Sequence, residues 1–361
     1  MKKNYIILLM LMPVLAGAQK SVDLDKFRFS VKFRSLPSAR IDSTYRTYDI
    51  EVGSTKMMEP FIRDLQPEQT VRLEGWKKLP GEAHLSVKVK LGDLVPGSVS
   101  VKERVVSTKN GNGQITGTRT FYYQELIYTF EAEAEITDYK GQHIMDQSLA
   151  ARNHQRTYTS PEFSRRVMAE GYFVLNSMNI TKELYRDCVN RAMHLLDDRL
   201  NENFGFREVS ANDIMWVIDS RKHPEYSEWR NAIRQIQNFL FTLDAATPIS
   251  GARALVAPAI SYFEKIKRDY SSSSRHDRKI RYGCYYNLAV LYYYLDDPQA
   301  MMKEANGLVL NDFDSNDGKA FERTATWLRN LFQQNNIYTR HFPIETEHFT
   351  GPFEKKDMTA N

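Results

Sequence analysis

The sequence predicts an α+β multidomain chain, with an N-terminal antiparallel β-sandwich followed by an all-α domain. Three observations lead there. At 361 residues the chain exceeds what one ordinary domain of roughly 100–200 residues holds, which suggests two domains. Its first half alternates apolar and polar residues with a period of two, the mark of strands with one buried face. Its second half changes to helical spacing, the mark of amphipathic helices.

The chain opens on a leader. Lys2 and Lys3 precede an apolar stretch from Ile6 to Leu15, and Ala16-Gly17-Ala18 is an A-x-A cleavage pattern. The apolar stretch is about half of the ~20 residues that a membrane-spanning helix needs. Residues 1–18 therefore read as a signal peptide cleaved after Ala18. Leu15-Ala16-Gly17 resembles the start of a lipobox, but Ala18 stands where lipidation requires cysteine, so a lipoprotein is not expected. The expected location is the periplasm or the periplasmic face of the outer membrane, with no transmembrane helix after cleavage.

Residues 19–152 form the expected β-sandwich-like domain. Phe27, Phe29, Val31 and Phe33 alternate with Arg28, Ser30, Lys32 and Arg34. Leu85, Val87, Val89 and Leu91 alternate with Ser86, Lys88 and Lys90. A longer run from Leu126 to Ile136 sets Leu126, Tyr128, Phe130, Ala132, Ala134 and Ile136 against Thr129, Glu131, Glu133 and Glu135. Leu79-Pro80-Gly81, Asn110-Gly111-Asn112-Gly113 and Asp138-Tyr139-Lys140-Gly141 read as turns, and Asn110-Gly111 as a hairpin tip. Several strands without an intervening helix pattern suggest the sandwich.

Residues 160–338 form the expected helical domain. Ser160 before Pro161 reads as an N-cap followed by proline at the first helical position. Met168, Tyr172 and Leu175 then repeat at helical spacing. A second helix is expected from about Thr181 to Leu200, with Leu184, Cys188, Ala192 and Leu195 on one face. Further helices are expected over about 225–243, 252–270, 279–295, 298–310 and 318–333. Pro224 would open the first of these and carry Trp229 and Ile233 into a core. Residues 339–361, with two prolines, a glycine and many charges, read as an irregular tail.

Within this half, Ala259-Ile260-Ser261-Tyr262-Phe263 places a small residue one turn before an aromatic, and Tyr285, Leu288, Ala289 and Tyr292 follow an aromatic–Leu–small–Tyr pattern. Asp296-Asp297-Pro298 would turn the chain, and Ala300 would open the next helix. The stretch over about 252–333 resembles tetratricopeptide repeats. It departs from them in a turn one residue short, in Glu304 at a usually aromatic place, in Gly307 for alanine, and in the lack of a closing proline. The resemblance implies stacked helix pairs and a groove of the kind that holds peptides or partner proteins.

Catalytic spacings are not found: the chain has no His-Glu-x-x-His, no Gly-x-Ser-x-Gly and no P-loop. No catalytic, cofactor-binding or metal-ligating residue is assigned. His341 and His348 flank Glu345 and Glu347, but the spacing matches no compact metal site. Cys188 and Cys284 are the two cysteines, and an oxidising compartment leaves open whether they pair. A formal charge of +4 from 49 basic and 45 acidic residues is too balanced for nucleic acid.

Two features point to partners instead. Lys265, Lys267, Arg268, Arg275, Arg278, Lys279 and Arg281 crowd one stretch against Asp269 and Asp277, around Ser271–Ser274. Such a loop suits an acidic protein face, anionic lipid or anionic glycan. Six tyrosines crowd the helix around 282–294, and Tyr293 and Tyr294 fall off its expected core face. The partner-binding candidates are therefore Tyr293, Tyr294, Lys267, Arg268, Arg275, Arg278 and Lys279. The expected function is that of a non-enzymatic periplasmic adaptor or scaffold, associated with envelope or outer-membrane proteins and without cofactor. A glycan-binding protein of the envelope is the alternative.

Overall fold

The computed structural model describes residues 22–353. The expected leader, its cleavage point after Ala18 and residues 354–361 of the expected tail lie outside them. In chain order the elements are β1 (Leu24–Arg34), β2 (Thr47–Ser54), α1 (Glu59–Ile62), β3 (Lys77–Lys78), β4 (Leu85–Leu91), β5 (Val95–Lys109), β6 (Ile115–Thr129), β7 (Ala132–Asp138), β8 (His143–Ala150), β9 (Arg156–Thr159), α2 (Arg166–Asn203), β10 (Glu208–Ile218), α3 (Tyr226–Leu240), α4 (Ala252–Asp269), α5 (Arg275–Tyr294), α6 (Pro298–Asn311) and α7 (Ser315–Asn335). A β-rich N-terminal region thus precedes a helical C-terminal region.

The chain packs as two compact units, each drawn from separate stretches of sequence. Of the described residues, the first takes 22–33 together with Ser210–Asn330, and the second takes Arg34–Val209 and 331–353. The boundary expected between 152 and 160 falls inside the second unit. Strand pairing is the reason for the first crossing: β1 bonds to β10, which places β1 in the unit of α3–α6. Packing is the reason for the second, because α2 lies against β6 and β8.

In the second unit, one sheet has the order β3-β2-β4-β7-β8 and another the order β5-β6-β9. On β4, Leu85, Val87, Val89 and Leu91 are buried and Lys88 and Lys90 exposed, as the alternation requires. The five-stranded sheet is mixed rather than purely antiparallel. β2 runs parallel to β4, with Ile50 opposite Val87, while β4 and β7 run antiparallel. Parallel neighbours need a long crossover, and residues 55–84 supply it through α1 and a 3-10 turn at Pro67–Gln69.

The run from Leu126 to Ile136 is two strands. It breaks at Phe130-Glu131, where Gly92 N donates to Glu131 O at 2.9 Å, and the chain leaves one sheet for the other. Leu126, Tyr128, Phe130, Ala132, Ala134 and Ile136 are all buried, so the inward phase survives the break and the periodicity carries no sign of it. The hairpin tip forms where Asn110-Gly111 predicts it. Asn110 Oδ1 accepts from Asn112 N at 3.1 Å and from Gln114 N at 2.9 Å, and Gly113 takes a φ of +79° that other residues rarely adopt.

Ser160 does not cap a helix. Its N donates to Gln124 O at 2.9 Å, its Oγ accepts from Gln124 N at 2.8 Å, and Phe163 bridges Tyr122. The segment is spent on extending the pairing with β6, and α2 starts only at Arg166. That helix is continuous over 38 residues, about 57 Å at 1.5 Å per residue, where two shorter helices were expected. Its second half buries Leu184, Cys188 and Ala192 as the spacing predicts. Its first half exposes Met168 and Leu175, expected in the core. The buried Gln124 on β6 sets that rotation: its Nε2 donates to Glu170 O at 3.1 Å, and its Oε1 accepts from Phe173 N at 3.0 Å.

Tyr185 on α2 is fully buried against Phe130, rings 5.6 Å apart, and its hydroxyl has no hydrogen-bond partner. An unmade bond at a buried hydroxyl costs about 1–3 kcal/mol. Tyr185→Phe, which keeps the ring and removes the hydroxyl, is therefore expected to raise stability by about 1 kcal/mol in urea unfolding. A loss of similar size would show that the hydroxyl is satisfied.

The expected irregular tail carries neither strand nor α-helix from 339 to 353, but it is docked on the second unit. His341 is buried, Arg34 N donates to Arg340 O at 2.8 Å, and Phe342 packs on Phe206 with centroids 6.1 Å apart. Lys77 Nζ donates to Glu347 O and Phe349 O, each at 3.0 Å. Aromatic burial and carbonyl bonding hold a segment whose composition reads as solvated.

Candidate functional site

The partner-binding candidates all lie in the first unit, on α4 and α5. α5 is placed by a pairing that its tyrosine pattern hides. Asn287, fully buried, accepts from Trp216 N through Oδ1 at 2.7 Å and donates from Nδ2 to Trp216 O at 2.8 Å. It thereby satisfies the backbone of β10 as a neighbouring strand would. Trp229 of α3 donates from Nε1 to the same carbonyl at 2.8 Å and packs on Phe263 at 5.0 Å. Pro224 does precede the helix that buries Trp229 and Ile233.

With α5 so fixed, its tyrosines are used internally. Tyr282 Oη donates to Asp317 at 2.6 Å, and Tyr286 meets Phe321 edge-on at 5.0 Å. Tyr294, offered as an off-core contact, is 1% exposed. Its ring meets Phe29 at 5.6 Å and its hydroxyl bonds Asp213 at 3.1 Å. Burial pushes the Asp213 carboxyl above its ordinary value, against bonds from Ile214 and Tyr294. Tyr293 is half-buried, packed edge-on against Tyr294 at 4.9 Å. The off-face reading of Tyr294 fails because β1 and β10 cover that side of the helix.

Lys267 is also turned inward, with 7% of its side chain exposed. Its Nζ lies 2.6 Å from Glu304 and 3.0 Å from Glu264, and 4.6 Å over the Tyr285 ring. Glu304 is 1% exposed. Burial pushes its carboxyl above the ordinary value despite Lys267. At Glu264 burial acts the same way, but the bond and charge of Lys267 outweigh it and hold that carboxyl low. Two departures from the repeat pattern are thereby explained. Glu304 stands where it meets Lys267, and Gly307 leaves the space that the Tyr285 ring fills, since a Cβ there would overlap it.

The remaining cations flank a built loop. Ser274 caps α5 by accepting from Asp277 N at 3.1 Å, Asp277 Oδ2 accepts from Ser272 N at 3.2 Å, and Arg281 donates to the carbonyls of Tyr270 and Ser272. Arg278 donates to Asp312 O at 3.1 Å and lies 3.5 Å from the Asp312 carboxylate. Arg268 and Arg275 are exposed and Lys279 is half-buried. Among the described residues these three form no ion pair, so they are the cations the loop offers outward.

Behind the loop lies a cluster that the sequence patterns do not mark. His223 stacks on His276 at 5.8 Å and on Tyr270 at 6.2 Å. His276 Nδ1 is 3.0 Å from Asp277 Oδ1, and Glu225 accepts from Tyr262 at 2.9 Å and Tyr270 at 3.3 Å. Burial pushes Tyr270 up to about 12, helped by Glu225. Burial would raise Asp277, but bonds from His276 and Ser272 outweigh it and hold it low. The residues come from three separate stretches, so only the adjacency of His276 and Asp277 is readable along the chain.

Burial, then the charge of His276, lowers the His223 pKa below its ordinary 6.5. As pH falls below 6.5 the unfolded chain therefore takes up a proton that the native state resists. Stability from this group, present above that value, declines as pH drops through the folded pKa. His84 carries the same sign, so the comparison must be made at one residue. In urea unfolding between about pH 7 and pH 5, His223→Asn is expected to reduce the acid-side loss relative to wild type. An unchanged profile would show that His223 titrates normally.

His341 and His348 are not brought together: His341 is buried, and His348 is exposed beside Glu345 at 3.8 Å. Among the described residues no group of three His, Cys, Asp or Glu is arranged for a metal ion. Cys188 and Cys284 are both free and buried, and burial raises both thiols. No helix of the described residues is long and apolar enough to cross a membrane. Compared with known protein families and with curated proteins, the chain matches no family model and no individual relative.

Proposed function

We propose that this chain is a non-enzymatic exported adaptor that holds protein partners at the cell envelope. In this reading its strand-rich part is sandwich-like and its later helices stack in tetratricopeptide-like pairs. The signal-like leader supports export to the periplasmic side. The contact pattern supports stacking, because α3 packs on α4, α4 on α5 and α5 on α6, each helix on its chain neighbour. Asp297, accepting from Ala300 N at 2.9 Å before Pro298, turns the chain between α5 and α6 where the repeat pattern places a turn.

The observation that carries the binding role is the α4–α5 corner. Its loop is fixed by Ser274, Asp277 and Arg281, while Arg268, Arg275 and Lys279 form no ion pair among the described residues. A held set of unpaired cations lowers the ordering cost of binding and suits an acidic protein face. Gentle crosslinking in intact cells of its host, followed by purification, is expected to recover defined envelope proteins and a mature chain starting at Gln19. Recovery of the chain alone, or of bound anionic glycan in place of protein, would overturn the reading.

A further inference from the structure

The first half of α2 carries an outward face that the adaptor reading does not use. Val167, Val174, Leu175 and Met178 are each at least 70% exposed, and Met168 is more than half exposed. From Gly171 to Thr181 the helix has no Asp, Glu, Lys or Arg, so this is no ordinary solvated face. Together the five side chains expose on the order of 600 Å² of apolar surface, beyond the few hundred Å² of unremarked patches on monomers. Gln124 and the contact of Phe163 with Tyr172, rings 5.3 Å apart, clamp the opposite side of the helix to β6. The face is thus held outward by packing.

Its spacing is that of a coiled-coil seam. Val167, Gly171, Val174 and Met178 follow one another at intervals of four, three and four, with Met168 and Leu175 beside them seven apart, so the stripe repeats by heptads. A Cβ at Gly171 would meet nothing within 4 Å, leaving a hole in the middle of the stripe. We propose that this face pairs with the same face of a second copy of the chain, the two helices running antiparallel about the point midway between Tyr172 and Phe173.

The stripe is self-complementary in that arrangement. Gly171 of one copy falls opposite Val174 of the other, a hole facing a branched side chain, and Val167 falls opposite Met178. These are the mixed layers that an antiparallel coiled coil requires, and a two-fold axis makes both contacts twice. Charge decides the direction. Arg165 and Arg166 open the helix, at the positive end of its dipole, and an antiparallel pair sets these like charges at opposite ends of the seam where a parallel pair would crowd them. The apolar area on each copy approaches the roughly 800 Å² per partner of a standard stable interface.

Light scattering on the purified protein from about 1 to about 100 µM, the range that brackets micromolar association, tests this. The expected result is a dimer, converted to monomer by Val174→Glu and separately by Leu175→Glu, with circular dichroism unchanged because both side chains are exposed. Under mild oxidation, Gly171→Cys protein mixed with Val174→Cys protein is expected to form the mixed disulfide faster than either forms its own. Cys188 and Cys284 are buried and leave the assay clear. A monomer at every concentration, a dimer indifferent to both Glu substitutions, or faster self-pairing of each cysteine variant would each overturn the proposal. Monomers that bind neutral lipid vesicles through this face would overturn it too.

Discussion

Lys267→Ala is expected to destabilise the protein by about 3–5 kcal/mol, the range for breaking a buried ion pair by removing one partner. Its ammonium is the cation nearest Glu304, at 2.6 Å, and Glu304 is 1% exposed. Lys303 is only 3.9 Å from the other carboxylate oxygen, which accepts no hydrogen bond. Without Lys267 the fold must keep a buried carboxylate or protonate it. Glu264 retains Lys303 at 3.4 Å and is less buried, so the larger loss falls on Glu304. The paired substitution Lys267→Met with Glu304→Leu is expected to recover most of the loss, since a buried pair exchanged for apolar residues of similar volume is often neutral. Urea unfolding of the two variants measures both effects. A single variant as stable as wild type would show that the pair is solvated.

Trp229→Ala carries the second large effect, also about 3–5 kcal/mol, as for other fully buried Trp and Phe truncations. The indole is 0% exposed, packs edge-on against Phe263 and leaves room for no Cβ at Gly283 without contact at 3.1 Å. Most of the loss is cavity and lost contact rather than hydrogen bonding, because the Trp216 carbonyl that the indole serves still accepts from Asn287. Trp229→Phe is accordingly expected to restore much of the stability although it restores no donor. If Trp229→Phe were as damaging as Trp229→Ala, the indole bond rather than the packing would be the main contribution.

Periodicity made the element types legible wherever one face of an element is buried. Phe29, Val31 and Phe33 on β1, and Leu85 to Leu91 on β4, follow it. α4 and α6 begin where the sequence places them, Ala252 and Pro298. What periodicity does not carry is which element an edge meets. β1 pairs with β10 across nearly half of the chain, and the alternating run through Phe130 changes sheet without changing phase. Ser160 has the chemistry of a helix cap, yet a cap and a strand-end bond use the same hydroxyl, and Gln124 decided between them.

The candidate site was legible to a similar degree. The crowding of cations around Ser271–Ser274 marked the corner, and Arg268, Arg275 and Lys279 remain available there. Lys267 and Tyr294 were drawn into the interior by residues distant in sequence: Glu304 for one, Phe29 and Asp213 for the other. Asn287 and the His223–His276 stack had no local signal, because a polar residue on a helix acquires its meaning from the backbone or ring that meets it.

The proposed adaptor role depends on recognition of an acidic protein face by the α4–α5 corner. Its most direct test compares the wild-type protein with the triple variant Arg268→Glu, Arg275→Glu and Lys279→Glu as bait in the same crosslinked envelopes, with bound proteins quantified by mass spectrometry. All three residues lie outside the buried network, so the fold should persist, and circular dichroism checks that it does. The partners recovered with wild type are expected to fall about tenfold or more with the variant and to weaken with added salt, as charge-steered contacts do. Equal recovery by the two proteins would contradict it.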